Sequence, residues 1–249
     1  MDLVITGANV LTMDLHNKCA EAIAVDDGKI VAIGTNFEIS KSIGKDTRVH
    51  QLNGRTLVPG FIDPHNHFHI TAFQPVSVNC STPPQNTIQT VLETIMASVS
   101  DVEPGRWITG WGFRTSNVKE DRGLLRDELD EIAPHNPLCI MDASVHAVYA
   151  NSIALKLAEI GRETPNPPHG QIRRSPNGEA NGTLWEAAMD PVYALSLKAL
   201  IDYHGANVTD LVKDNCMRHV AKGITSVGDA LVVPEAVEIY RRAETSGKL

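Results

Sequence analysis

Two histidines, His65 and His67, are the residues of this sequence whose type and spacing could hold a metal ion. They follow an apolar run at 56–62 that is bounded by Asn53-Gly54 and Pro64, a pattern typical of a short buried strand. Side chains two apart on a strand point the same way, so both imidazoles would lie at the strand's carboxyl end, where α/β barrels carry their active sites. Neutral imidazole is a common ligand of zinc and similar divalent ions. The pattern predicts half of a metal site.

Spacing alone is weak evidence for this site, because about 0.4 such pairs are expected by chance among 10 histidines in 249 residues. His67 and His69 form a second pair at the same spacing. The strand pattern and the Asp63-Pro64 step distinguish the first pair from a chance pair. Asp63 lies two residues before His65 and would share its face, and its carboxylate is predicted to orient an imidazole from behind the metal ligands.

Composition limits the classes of function. Apolar residues make up 42% of the chain and charged residues 21%, as in ordinary globular proteins. A net charge of −8 without a Lys/Arg cluster argues against a nucleic-acid partner. No run reaches the ~18 apolar residues of a membrane span, and the first residues lack the pattern of a signal peptide. The four cysteines are scattered, which favours reduced thiols and a cytoplasmic location.

Residues 2–55 carry the pattern of a small all-β region. Short apolar runs begin at Leu3 and Asn9, and two further pairs of runs flank Asp27-Gly28 and Asn53-Gly54. Asp-Gly and Asn-Gly between apolar runs favour the type I′ turns of β-hairpins. The pattern therefore predicts two hairpins, of which the second leads directly into the strand of His65.

The rest of the chain alternates between helical and strand patterns. Helices are predicted at 88–99, 126–133, 151–160, 208–222 and 234–246, and another from 186 that is broken at Pro191. A further hairpin is predicted across Pro176-Asn177-Gly178. Buried strands are predicted near Val58, Ile108, Ile140 and Ile224. The alternation of strands and helices indicates an α/β protein.

Residues 59–67 read Pro-Gly-Phe-Ile-Asp-Pro-His-Asn-His. This string resembles the Pro-Gly-Phe-Ile-Asp-x-His-x-His signature of the amidohydrolase superfamily. Later segments are similar to the YtcJ-like branch of that superfamily, also called amidohydrolase family 3. They are Gly-Trp-Gly at 110–112 and longer stretches at 142–155, 164–170, 181–188 and 223–230. Together these matches cover nearly the whole chain.

The resemblance implies an α/β fold: a partial (β/α)8 TIM-like barrel of the metal-dependent hydrolases, preceded by a small β-sandwich. Residues 1–56 would form part of a composite sandwich and 57–249 the first half of the barrel, with an insertion at roughly 75–210. Four barrel-type strands are counted where a closed barrel needs eight. The family's remaining ligands, a lysine, two histidines and an aspartate, find no matching motif before Leu249. We therefore expect the amino-terminal half of a larger enzyme.

The resemblance also implies a metal-dependent hydrolase of carbon–nitrogen bonds, other than peptide bonds, in a small amide-type substrate. Its cofactor would be a divalent ion, with zinc favoured, held in part by His65 and His67. The catalytic base is expected beyond Leu249, so the isolated 249-residue chain should have little activity. His69 matches no ligand of the motif and is expected to be a polar lining or surface residue.

Four further side chains are candidates for the substrate pocket, and each has a structural alternative. His146 follows a strand and could equally be a satisfied core histidine, and Asp229 ends a strand and could be a structural carboxylate. Tryptophans on strands are more often core than pocket residues. The candidates are His146, Glu186, Asp229 and Trp111.

Two other readings of the same residues remain open. The chain could belong to a non-catalytic scaffold or binding protein derived from an amidohydrolase barrel, although retention of His65 and His67 argues against this. It could also be a half-barrel that needs a complementing carboxyl-terminal half from a partner chain. Unpaired barrel edges would in addition favour a homo-oligomer.

Overall fold

Residues 1–15 and 19–249 are described by a computed structural model. They divide into one unit of residues 1–63 with 223–226 and a second unit of residues 64–222 with 227–249. Within the described residues, no helix has the length and apolar character that crossing a membrane requires.

The first unit is built mainly from short strands. One sheet has the strand order β5-β4-β1-β6 and a smaller one the order β3-β2-β7. Val4, Ala22 and Ala24 pack with Ile39 of the single short helix in one small core. The elements are β1 (Leu3–Thr6), β2 (Asn9–Leu11), β3 (Cys19–Ala20), β4 (Ala22–Asp26), β5 (Lys29–Gly34), α1 (Asn36–Ser40), β6 (Arg48–Gln51) and β7 (Thr56–Leu57).

The two predicted hairpins have different outcomes. β4 and β5 pair antiparallel across Asp27 and Gly28, whose positive φ angles of 48° and 69° suit a type I′ turn, so the first hairpin is confirmed. Asn53 and Gly54 also have positive φ angles and make a tight turn. However, β6 pairs parallel with β1, and β7 pairs parallel with β2 in the other sheet. The second hairpin is therefore wrong: the turn forms, but the strands on its two sides join different sheets.

The strand of the paired histidines, β8 (Phe61–Asn66), is separate from β7. In the described chain it pairs only with β15 (Ile224–Asp229), in a two-stranded sheet. The side chains of Phe61 and Ile62 are 56% and 71% exposed. The prediction that this apolar run is buried is therefore wrong for the described residues, because two strands alone leave both faces of the sheet open.

The second unit contains a six-stranded mixed sheet of order β13-β14-β12-β11-β10-β9. Strands β9, β10 and β11 are parallel, and the remaining neighbours are antiparallel. The elements are α2 (Phe68–Phe73), β9 (Val78–Asn79), α3 (Ile88–Val99), β10 (Ile108–Phe113), α4 (Arg126–Ile132), β11 (Leu138–Asp142), β12 (Ala147–Ala150), α5 (Ser152–Leu157), β13 (Gly170–Arg174), β14 (Ala180–Glu186), α6 (Asp190–His204), α7 (Val208–Val220) and, after β15, α8 (Pro234–Thr245).

Both faces of this sheet are covered, which explains why β11 is buried along its whole length. Leu138 and Ile140 point to the cluster that contains α3 and α4. Cys139 and Met141 point to the opposite cluster, which includes side chains of α6 and α8. A strand with an apolar layer on each side reads as a continuous apolar run, as the sequence here does.

Several element boundaries differ from the predictions. Of the four strands counted toward a barrel, those near Ile108 and Ile140 are parallel neighbours in the six-stranded sheet, and β8 and β15 are neighbours in a separate two-stranded sheet. Pro191 lies in the first turn of α6, where its missing N–H costs nothing, instead of breaking the helix. α5 ends at Leu157, before the predicted 160, and β12 was not predicted.

Asn151 ties three elements together and provides a stability test. Its side chain is fully buried, accepts hydrogen bonds from the backbone N–H groups of Leu138 and Ala154, and donates to the carbonyls of Ala133 and Asn136. We expect Asn151→Ala to lower the free energy of unfolding by about 3 kcal/mol, because it removes a helix cap and leaves buried backbone groups unsatisfied.

Urea denaturation would measure this change. Asn207→Ala is the matched control, since Asn207 precedes α7, is exposed and makes no capping hydrogen bond through its side chain. Its unfolding free energy should change by less than about 0.5 kcal/mol. Equal losses for the two variants would contradict the role assigned to Asn151.

The cysteines should differ sharply in reactivity. Burial raises the pKa of the Cys80 and Cys139 thiols to about 12, whereas Cys19 is exposed. The thiolate is the reactive form. We expect iodoacetamide at pH 8 to label Cys19 in the native protein and to label Cys80 and Cys139 only in denaturant, as read by peptide mass spectrometry. Labelling of Cys139 at the rate of Cys19 would show that the sheet is not packed on both faces.

Candidate metal centre

The carboxyl end of β8 is held from two sides. The Asn66 carbonyl accepts a hydrogen bond of 2.8 Å from the N–H of Ala230, just beyond β15. The Asn66 amide lies 3.3 Å from Nε2 of His219 on α7. His219 donates from Nδ1 to the carbonyl of Asn215, so its Nε2 is the acceptor toward Asn66. The backbone between His65 and His67 is thereby tied both to the neighbouring strand and to a helix.

His65 and His67 lie side by side at this point. Their ring centroids are 5.3 Å apart and the rings are nearly perpendicular, at 87°. Nδ1 of His67 is buried and has no hydrogen-bond partner among the described residues. Burial lowers the pKa of His67; the charge of Asp229 opposes this, and the neighbouring His65, His69 and His146 add to it. His67 is thus held in the neutral form that binds metal ions.

Asp229 ends β15 and is the acceptor of a buried hydrogen-bond network. Its Oδ2 accepts from Nδ1 of His69 at 2.8 Å, from the His69 backbone N–H at 3.2 Å and from the hydroxyl of Tyr240. Nε2 of His69 lies 2.7 Å from the hydroxyl of Tyr193. Burial alone would raise the pKa of Asp229, but the hydrogen bonds from His69 and Tyr240 outweigh it and the pKa lies below its usual value.

His69 and the two tyrosines were not assigned to the site from the sequence. The side chain of His69 is 1% exposed, so a surface position for it is wrong. Tyr193 and Tyr240 lie more than 120 residues from His69 in the chain, and no local spacing signals that they meet it. The signal that was available is the polar residue at the end of a strand, Asp229 itself.

His146 and Glu186 are brought together. Nδ1 of His146 is 3.1 Å from Oε1 of Glu186, and the Glu186 N–H donates to the His146 carbonyl at 2.9 Å. Both side chains are more than half exposed, and His146 lies close enough to His67 for its charge to act on it. Val145 and Glu186 have φ angles of 65° and 52°, values that residues other than glycine rarely adopt. Such strained backbone is concentrated at functional sites.

The structure gives weaker support for a role of Trp111 and Asp63 in the site. The indole N–H of Trp111 donates to the carbonyl of Gln74 at 3.2 Å, and its ring lines a cavity of about 50 Å³ beside Met141 and Tyr193. Such a cavity has room for water but not for an amide substrate, which favours the core alternative for Trp111. Asp63 is partly buried and is the last residue of the first unit before Pro64. Its role in orienting an imidazole stays a prediction.

These residues fit part of a metal site. The adjacent rings of His65 and His67 can each supply one nitrogen ligand, and the lowered pKa of His67 favours its neutral form. Across the described ranges 1–15 and 19–249, no group of three or more His, Cys, Asp or Glu residues is arranged to hold a metal ion. A catalytic zinc usually has three protein ligands and a water, so two histidines alone would leave such a site incomplete.

The chain is similar over its length to known proteins of one family. A family model described as amidohydrolase family matches residues 48–249. The N-substituted formamide deformylase of Arthrobacter pascens is 43% identical over 248 residues, which cover 100% of this chain and 46% of the relative. The amidohydrolase YtcJ of Bacillus subtilis is 26% identical over 97% of this chain and 46% of its own length.

A solved structure shares the fold. An uncharacterised metal-dependent hydrolase from Pyrococcus horikoshii superposes with a TM-score of 0.66 at 19% identity, over 99% of this chain and 46% of that one. The chain spans about half the length of the curated relatives it matches. The resemblance seen in the His65/His67 motif and in the later segments is confirmed, and the chain belongs to the amidohydrolase family.

Proposed function

We propose that this protein is a metal-dependent hydrolase of non-peptide carbon–nitrogen bonds in small amides, with N-substituted formamides as the first substrate class to test. The observation that carries the proposal is the pair of adjacent imidazoles of His65 and His67, with ring centroids 5.3 Å apart. The 43% identity to a formamide deformylase over the full chain supports the choice of substrate.

The site would lie at the mouth of a (β/α)8 barrel to which β8 and β15 contribute adjacent strands. Both strands end in polar residues, as barrel strands do at an active site. The exposed Phe61 and Ile62 on β8 need a covering layer. We propose that further polypeptide, either continuous with this chain or supplied by a complementing chain, provides this layer, the remaining ligands and the catalytic base.

His65 and His67 would hold the ion, for which zinc is the favoured candidate. When bound, such an ion polarises an amide carbonyl and activates a water molecule. His146 would bind the substrate: Glu186 occupies its Nδ1, which leaves Nε2 to meet a polar group of the amide. The backbone conformations of Val145, which precedes His146, and of Glu186 itself would hold the imidazole in that direction.

The metal proposal is tested on the complete gene product by measuring bound metal and formate release from a panel of N-substituted formamides. We expect near-stoichiometric zinc in the wild type, and a loss of zinc with at least a 100-fold fall in kcat/KM in His67→Ala. His50→Gln, on the exposed strand β6, is the matched histidine control and should keep both. Full turnover after the metal has been stripped would refute the proposal.

The same assays on the 249-residue chain test whether further polypeptide is needed. Two imidazoles leave zinc under-ligated, so this chain alone should bind zinc at least 100-fold more weakly than the complete product and release little formate. Metal-dependent turnover by this chain, abolished in His65→Ala, would show that the described residues suffice.

The role of His146 predicts a defect in substrate binding. His146→Ala should raise KM for a formamide about 10-fold with a smaller change in kcat, because a hydrogen bond made in both ground and transition state is lost. Glu186→Gln should give a weaker form of the same change. Glu179→Gln, in the turn at the far end of the same hairpin, is the control. An unchanged KM in His146→Ala would show that His146 does not bind the substrate.

A further inference from the structure

The ends of β8 and β15 carry complementary buried atoms that lack partners. Nδ1 of His67 has no hydrogen-bond partner in the described chain, and neither has Oδ1 of Asp229. We propose that Asp229 is a positioning residue for the metal centre: through Oδ1 it accepts a hydrogen bond from Nδ1–H of His67 and so keeps Nε2 free of a proton for the metal. The metal part of this inference rests on the proposed function.

Backbone contacts place the Asp229 carboxylate beside His67. The N–H of Ala230, the residue after Asp229, donates to Asn66, the residue before His67, at 2.8 Å. The N–H of His69, two residues after His67, donates to Oδ2 of Asp229 at 3.2 Å. The carboxylate is therefore fixed against residues on both sides of His67, and its charge acts directly on the His67 ring.

The direction of the carboxylate is determined by its other oxygen. Oδ2 already accepts from the His69 ring, the His69 backbone and the Tyr240 hydroxyl. These three donors leave Oδ1 as the oxygen available to a further partner. The side chain of Asp229 is only 8% exposed, so water is not a ready substitute.

The chemistry of a metal-bound imidazole indicates why His67 and Asp229 would form a hydrogen bond. A neutral imidazole that binds metal through Nε2 must carry its proton on Nδ1, and a buried N–H without an acceptor is unfavourable. Metal-bound histidines commonly donate this second N–H to a carboxylate, which sets the tautomer and the ring orientation. A hydrogen bond between Nδ1 of His67 and Oδ1 of Asp229 would satisfy both atoms at once. The similar role predicted for Asp63 stays a prediction.

The test compares two aspartates in the complete gene product. Asp229→Asn replaces the acceptor by an amide, and we expect its zinc affinity, measured by competition with a chelator, to fall 10- to 100-fold. Asp202→Asn, in an exposed ion pair with Lys198 on α6, is the control and should change affinity less than 2-fold. Tyr240→Phe removes a donor to Oδ2 but leaves Oδ1, so it should lower the melting temperature and change zinc affinity less than 3-fold.

A second readout does not depend on metal or activity. Nuclear magnetic resonance of ¹⁵N-histidine-labelled protein should identify His67 as the Nδ1–H tautomer, with a downfield Nδ1–H proton that disappears in Asp229→Asn. If wild-type protein shows this proton but binds no zinc, the proposed metal-dependent function is refuted, while the hydrogen bond between His67 and Asp229 is supported. An Nε2–H tautomer of His67 in the wild type, or equal zinc affinity in Asp229→Asn and Asp202→Asn, would overturn the inference. The wild-type spectrum decides even if Asp229→Asn does not fold.

Discussion

The buried carboxylate of Asp229 is the constraint on which the rest of the site depends. A charge at 8% exposure is tolerated only when hydrogen bonds replace the lost water, and here one oxygen receives three of them. Those donors come from α2 and α8, and His69 passes the connection on to Tyr193 of α6. Helices far apart in sequence are therefore held around the end of β15, next to His67.

The residues between β8 and β15 do more than connect the two strands. They build the six-stranded sheet, and its hairpin region carries the His146–Glu186 pair on strained backbone. An exposed ion pair contributes little to stability by itself. The unfavourable backbone geometry at Val145 and Glu186 is instead consistent with a local structure selected for what it presents to a ligand.

Local patterns were sufficient for most of the elements and for the histidine pair. The apolar periodicity of α3 and the Asp27-Gly28 turn depend on neighbouring residues alone, and both are present as predicted. The partners of β6 and β7 could not be predicted from the sequence. A tight turn determines that the chain reverses its direction, but it does not determine which strands pair with the two strands that it connects. The exposure of β8 could not be predicted, because an apolar run indicates that a strand is stable when other residues pack over it but does not show that the described chain contains those residues.

Some residues of the candidate site could likewise be predicted from local sequence patterns, and others could not. His65, His67 and Asp229 could be found because each lies at the end of a recognisable strand. The partners of Asp229 could not, since Tyr193 and Tyr240 reach it only through tertiary packing. His146 and Glu186 were selected separately, by resemblance, and only the antiparallel neighbours β12 and β14 bring them into contact.

The pairing of β8 with β15 has a consequence for the order of folding. Most neighbours in the six-stranded sheet are close in sequence, whereas His69 and Asp229 are 160 residues apart. Closing so long a loop carries a large entropic cost, so contacts of low sequence separation form first. The carboxyl end of β8, with His65 and His67, is then completed last, after the intervening sheet has assembled.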